Sequence, residues 1–140
     1  MQYIDTCLLI PLFVPEPATE RVRAYFSANT TQNLAISHWT QTEFVSAIAF
    51  KVRSRQLDAP TALNIVQAFQ ELAEASFTVL PPAQQDFVRS QEYLIQFDTG
   101  LRAGDALHLA IARNHRATLV TLDQLLFSAA SSLGVTAETF

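Results

Sequence analysis

Apolar positions fall into two kinds of run along the chain. The short ones, Gln2-Tyr3-Ile4, Leu34-Ala35-Ile36, Phe77-Thr78-Val79-Leu80 and Thr118-Leu119-Val120-Thr121, are each stopped by a polar residue or a proline. That is the pattern of short buried strands. The longer runs repeat at three- and four-residue spacing, as with Phe44, Val45, Ile48 and Val52 in residues 40–55, and Leu63, Val66, Phe69 and Leu72 in residues 61–75. These predict amphipathic helices. Further helices are predicted over 18–28, where Pro17 suits a first turn, and over 83–97, 103–115 and 123–132. The 103–115 segment is apolar nearly all round and is expected to be buried. After Ile4 the chain is read as a loop punctuated by Pro11 and Pro15, and residues 135–140 are read as a last strand. Strands alternating with helices of three to four turns predict one α/β domain over residues 1–140, with a central, mostly parallel sheet of four to five strands.

Composition narrows the class. In 140 residues, 49% are hydrophobic and 16% charged, which excludes a disordered chain. A net charge of −4 excludes a strongly basic protein that coats polyanions. The single cysteine, Cys7, allows neither an intrachain disulfide nor a multi-thiolate zinc site, and it suits a reducing cytoplasm. No signal peptide is recognised, and no apolar run reaches the roughly 20 residues a membrane span needs.

Four acids fall at positions that matter. Asp5 follows the first strand, Glu43 opens the helix after the second, Asp105 opens the apolar helix and Asp123 follows the fourth strand. In a parallel sheet the strand ends share one edge, and ligand sites gather there. Each acid also has a plain structural reading. Asp5 can be a turn residue, Thr40-x-x-Glu43 is a capping-box pattern, Asp105 suits the positive end of a helix, and Asp123 suits an N-cap. Their convergence is what carries chemical weight. Two unit charges about 5 Å apart at an effective dielectric of about 20 cost about 3 kcal/mol, and Arg102 is the only nearby base. Mg²⁺ or Mn²⁺ would balance such a cluster, and with neither imidazole nor thiolate among the four, zinc is not favoured. A hard divalent ion with open positions suits phosphodiester hydrolysis by activated water.

The same residues carry a resemblance. The segments YIDTCLLI (residues 3–10), TQTEFVSAI (40–48), LRAGDALHLAIA (101–112) and LVTLD (119–123) together resemble the PIN-domain ribonucleases, and most closely the VapC-type toxins of toxin–antitoxin pairs. The resemblance covers nearly the whole chain. It implies a three-layer α/β/α fold with strand order 3-2-1-4-5. It implies that Asp5, Glu43, Asp105 and Asp123 hold Mg²⁺, with Mn²⁺ able to substitute. Thr6 and Thr121 would be supporting or substrate-side hydroxyls. It further implies an RNA substrate, a cognate antitoxin and a homodimer. The rival reading is a non-catalytic PIN-like module that binds RNA or protein.

Several other residues are candidates. Arg102, beside Asp105, is the best phosphate contact. His108, one helical turn after Asp105, is read as a structural helix histidine with a substrate contact as the alternative. Trp39 either stacks a base or packs, and Lys51, Arg53 and Arg55 either complement a helix C-terminus or touch RNA. Phe44, Phe50, Phe69 and the Tyr25-Phe26 pair either fill the core or line a partner groove. Cys7 is read as a small buried side chain, because the Cys-x5-Arg pattern fails at Phe13. Asp5-Thr6-Cys7 lacks the Asp-x-Asp of a haloacid-dehalogenase-type phosphatase, and the only lysine, Lys51, is misplaced for a phosphoacceptor receiver.

Overall fold

The computed structural model describes residues 1–29 and 33–140. Its strands are β1 (Gln2–Ile4), β2 (Leu34–Ser37), β3 (Thr78–Leu80), β4 (Thr118–Val120) and β5 (Ala137–Glu138). The helices are α1 (Thr6–Phe13), α2 (Thr19–Ala28), α3 (His38–Arg53), α4 (Ala59–Ser76), α5 (Gln84–Leu94), α6 (Ala103–Asn114) and α7 (Gln124–Ser132). All strand pairs are parallel and the order is β3-β2-β1-β4-β5. This is the expected three-layer α/β/α arrangement with five strands.

Alternation along each strand builds the layers. Tyr3, Ala35 and Leu119 point to one face and pack with Leu107, Ile111, Leu126 and their neighbours on α6 and α7. Ile4, Ile36 and Val120 point to the other, into a cluster with α1, α3 and α4. There Phe44 and Phe69 stack with ring centroids 3.8 Å apart. Phe44, Phe69 and Tyr25 are therefore core, while Phe50 stays on the surface.

Two local expectations are corrected. The stretch read as a loop after Ile4 is helix α1, with Pro11 inside it. Proline removes one helical hydrogen bond, at a cost of about 3 kcal/mol, but its fixed φ is already helical. Full burial of Leu8 and Leu9 and near-full burial of Ile10, each worth about 1.5–3 kcal/mol, outweighs that cost. The second correction is at α3. It starts at His38, not near Thr40, because Ser37 and Thr40 form the capping box: Thr40 N–H donates to Ser37 Oγ (3.1 Å), and Ser37 N–H donates to Thr40 Oγ1 (3.2 Å). Glu43 is thereby released from any capping role.

Candidate metal centre

The parallel order brings the carboxyl ends of β1, β2 and β4 to one edge. Register sets Ile4 beside Val120, so Asp5 follows one strand where Thr121 follows the next. The α3 helix leaves β2 at the same edge and carries Glu43 on its second turn. The α6 helix precedes β4 in the chain and runs back toward its start, so the helix N-terminus, with Asp105, comes to the same rim. Asp123 caps α7 there. All four acids line one cavity of about 850 Å³. They grade outward: Asp5 is 6% exposed, Glu43 and Asp105 are half-buried and Asp123 is exposed.

Each carboxylate is held by one oxygen. Asp5 Oδ2 accepts from Thr121 Oγ1 (2.6 Å) and from the Cys7 thiol (2.9 Å). Glu43 Oε2 accepts from Thr6 Oγ1 (2.7 Å) and pairs with His108 Nε2 (2.5 Å). Asp105 Oδ2 accepts from the backbone N–H of Arg102 (3.0 Å). Asp123 Oδ1 accepts from Leu125 and Leu126 N–H, so its N-cap reading is correct as far as it goes. Among the described residues the second oxygen of each acid, Asp5 Oδ1, Glu43 Oε1, Asp105 Oδ1 and Asp123 Oδ2, accepts no hydrogen bond.

His108 is more than a helix histidine. It is 1% exposed, and its Nδ1 lies 2.8 Å from the Tyr3 hydroxyl, which also contacts Ser37 Oγ and Thr40 Oγ1. Its Nε2 faces Glu43 and lies 3.7 Å from Asp5 Oδ1. One ligand atom from each of Asp5, Glu43 and His108 falls within 4.8 Å of the others. The cluster thus contains an imidazole, which the sequence offers as a substrate contact but more readily as a structural histidine.

The electrostatics follow from these contacts. Burial pushes Glu43 up, but His108, Thr6 and the nearby Trp39 indole outweigh it and hold the carboxyl below its ordinary range. Burial pushes His108 down, yet the Glu43 hydrogen bond and the charges of Asp5, Glu43 and Asp105 raise it on balance. Asp105 is raised, first by burial and then by Asp123 and Asp5, against the pull of the Arg102 N–H. Burial also pushes the Cys7 thiol well up, with Asp5 adding to the effect, so no thiolate nucleophile is poised there.

Gly104 escapes the sequence reading as a site component, and Trp39, offered there as stacking or packing, joins the site. Gly104 lets α6 approach α3: a Cβ there would sit 2.7 Å from Glu43 Oε1 and 3.2 Å from Trp39 Cζ2. Trp39 lines the cavity with a buried indole N–H that has no hydrogen-bond partner among the described residues. Arg102 stands exposed at the N-cap of α6 and is not part of the cavity wall. Lys51 and Arg53 also line the cavity, and Lys51 pairs with Glu16 (2.8 Å).

The donor set fits a hard divalent cation. Asp5 and Glu43 bring carboxylate oxygens to ligand distance of each other, while Asp105 and Asp123 line the same open cavity without joining that cluster, which leaves room for waters such an ion retains. Uncompensated, the same charges would repel.

Among curated proteins compared by sequence, none matches. Solved structures match across nearly the whole chain. FitAcB from Neisseria gonorrhoeae is 23% identical with a TM-score of 0.71, covering 98% of this chain and 96% of that one. VapBC2 from Rickettsia felis, bound to a DNA fragment from its promoter, is 14% identical with a TM-score of 0.74, covering 100% and 99%. VapC20 of Mycobacterium tuberculosis, a sarcin-ricin loop cleaving toxin, is 15% identical with a TM-score of 0.73, covering 92% and 95%. At these identities the likeness speaks to the fold. The family model of the PIN domain matches residues 2–131, and with that match the chain belongs to the PIN domain family.

Proposed function

We propose that the chain is a single PIN domain acting as the toxin of a toxin–antitoxin pair, a Mg²⁺-dependent endoribonuclease in which Mn²⁺ can substitute. The observation that carries this reading is the convergence of Asp5, Glu43, Asp105 and Asp123 on one cavity, with Asp5 and Glu43 at ligand distance of each other. A lapsed site has no reason to keep charges that repel one another.

Asp5, Glu43, Asp105 and Asp123 would hold the ion. When bound, it supplies an activated water and charge neutralisation at the phosphate. The chain's own residues supply the geometry. Thr121 fixes Asp5, while Thr6 and His108 fix Glu43. Arg102, exposed at the N-cap of α6 outside the cavity wall, would meet a substrate phosphate at the rim. No protein nucleophile is used. The partners of this reading are RNA, a cognate antitoxin and a second copy of the chain in a homodimer, and its compartment is the cytoplasm. No helix among the described residues is long and apolar enough to cross a membrane. Several of the similar structures are toxin–antitoxin complexes, including one from Klebsiella pneumoniae, which supports the antitoxin partner.

The test is cleavage of total cellular RNA by partner-free protein, with Mg²⁺, Mn²⁺ and EDTA lanes beside Asp105→Asn. Metal-dependent cutting, lost in EDTA and in the variant, is the expected result. Folded, metal-binding protein that cuts in no lane would overturn it in favour of a non-catalytic binding module.

A further inference from the structure

We propose that Arg113 and Arg116, with the Thr118 and Thr136 side chains, form a second binding site, one for a phosphate group, at the sheet edge opposite the acid cavity. This site does not rest on the metal reading.

The fold places it. Asp105 lies in the first turn of α6 at the acid rim, and Arg113 lies in the last turn, about 12 Å further along the helix at about 1.5 Å per residue. Thr118 opens β4 and Thr136 immediately precedes β5, so both stand at strand starts, away from the acids. These four residues, with Ala112 and Ala117, line a cavity of about 330 Å³ whose wall contains no acidic residue. At about 30 Å³ per water, that is room for a phosphate and several waters.

The polar groups there are unspent. Among the described residues neither arginine pairs with a carboxylate. Arg113 gives one Nη1 hydrogen bond to the Gly134 carbonyl, and the Arg116 guanidinium and both threonine hydroxyls give none. Two uncompensated guanidinium groups on one wall repel each other and attract an anion, and their planar forks match phosphate oxygens.

Arg113 has a structural reading, since a cation in the last turn complements a helix end. Arg116 has no such reading. Its φ is 52°, the left-handed conformation after a helix, where glycine is favoured. The bonds of that turn are backbone bonds, Ala117 N–H to Ala112 O (2.9 Å) and Arg116 N–H to Arg113 O (3.1 Å). A glycine would make them equally well, so the Arg116 side chain strains the turn and adds charge to the cavity. Those bonds also engage helix-end carbonyls that would otherwise oppose an anion. Arg55 shares the left-handed backbone (φ 61°) but lies outside this cavity, so strain and cavity together mark Arg116.

The test is ¹⁵N NMR of the arginine Nε–H groups in wild-type protein, titrated with inorganic phosphate against chloride at matched ionic strength. The expected result is a saturable shift of the Arg113 and Arg116 resonances, while Arg23, paired with Glu20, does not saturate. Single-stranded RNA in EDTA is the second arm. Saturation of the same two resonances by RNA, at a lower phosphate concentration than the free ion needs, assigns the phosphate to a nucleic-acid strand. Saturation by the free ion alone assigns a small anion, and either result supports the site. Arg116→Gly should melt at or above the wild-type Tm without phosphate and bind phosphate at least about tenfold more weakly. No saturable shift with either probe overturns the proposal, as does an Arg116→Gly protein that binds phosphate like wild type. A lower Tm in that variant gives Arg116 a structural role and counts against the site. The wild-type titration needs no variant, and its failure leaves the metal-centre reading standing.

Discussion

Gly104→Ala separates the site from the fold. The added methyl carbon would lie 2.7 Å from Glu43 Oε1 and 3.2 Å from Trp39 Cζ2, and the first of these is closer than real Cβ contacts come. Something has to give. Glu43 ends in a flexible side chain, but its other oxygen is tied to Thr6 at 2.7 Å and to His108 at 2.5 Å. Moving Oε1 by a few tenths of an ångström therefore stretches both bonds. Charged hydrogen bonds contribute about 1.5–3 kcal/mol each, so a partial loss costs about 1–2 kcal/mol. Against this, alanine gains up to about 1 kcal/mol over glycine in a helix. The two nearly cancel, and the net change in stability is about 1 kcal/mol or less.

At about 3–5 °C per kcal/mol for a chain of this size, the metal-free Tm should stay within about 5 °C of wild type. The damage should appear at the cavity, where a displaced Glu43 no longer presents its free oxygen. Thermal melts with and without Mn²⁺ read this directly. Trp39, the sole tryptophan, reports the same contact by its emission. The expected outcome is a near-normal metal-free Tm, a Mn²⁺-induced rise cut by at least about half, and altered Trp39 emission. A variant with the full Mn²⁺ response and unchanged emission refutes the reasoning. So does a fall of more than about 10 °C without metal, because the strain would then lie in helix packing rather than at Glu43.

Three other outcomes follow from the same contacts. Asp105→Asn keeps an acceptor for the Arg102 N–H but removes a carboxylate that burial and the charges of Asp123 and Asp5 disfavour. Its metal-free Tm should rise while its Mn²⁺ increment falls, and a lower metal-free Tm counts against the charge-crowding argument. Cys7→Ala should leave RNA cleavage within about threefold of wild type while costing about 1 kcal/mol, since Leu122 N–H loses its Sγ acceptor; a folded but inactive variant contradicts the water-attack reading. In metal-free protein the Glu43–His108 pair should stabilise most between about pH 4.3 and 6.5. The lowered Glu43 contributes above its unfolded value and is lost as pH falls through its folded one; the raised His108 contributes below about 6.5 and is lost as pH rises through its folded value. Urea titrations of wild type and His108→Gln from pH 4 to 9 should show the difference shrinking on the alkaline side, and a flat difference defeats the assignment.

The strands and most helices were readable because their signals are local. Period-two and period-3.6 patterns need only neighbouring residues, and parallel pairing follows once each pair of strands is joined by helices, whereas the strand order 3-2-1-4-5 rests on the family resemblance alone. The α1 helix was not readable, because a proline at position 11 is a strong local stop signal and the apolar burial that overrides it comes from α3 and α4, far along the chain. The capping reading of Glu43 fails for a related reason. Thr40-x-x-Glu43 and Ser37-x-x-Thr40 are both acceptable caps on paper. Only the end of β2 at Ser37 decides which residue starts the helix.

The acids themselves were legible from their places at strand ends, but what holds them was not. Thr121 reaches Asp5 across 116 positions, Thr6 reaches Glu43 across 37, and His108 reaches Glu43 across 65. No window of sequence contains such pairs. His108 is singled out by its place one turn after Asp105, but a histidine among Leu107, Leu109 and Ile111 reads first as part of a buried face. Burial is in fact what gives it weight. A nearly inaccessible imidazole must satisfy both nitrogens inside the protein. Tyr3 satisfies one, and Glu43 satisfies the other, with Asp5 just beyond. Gly104 belongs to the same argument, because the only position in α6 without a side chain is where that helix meets Glu43 and Trp39. The two residues that sequence periodicity ranks lowest, a glycine and a lone polar residue on an apolar helix, are thus the ones through which α6 shapes the metal cavity.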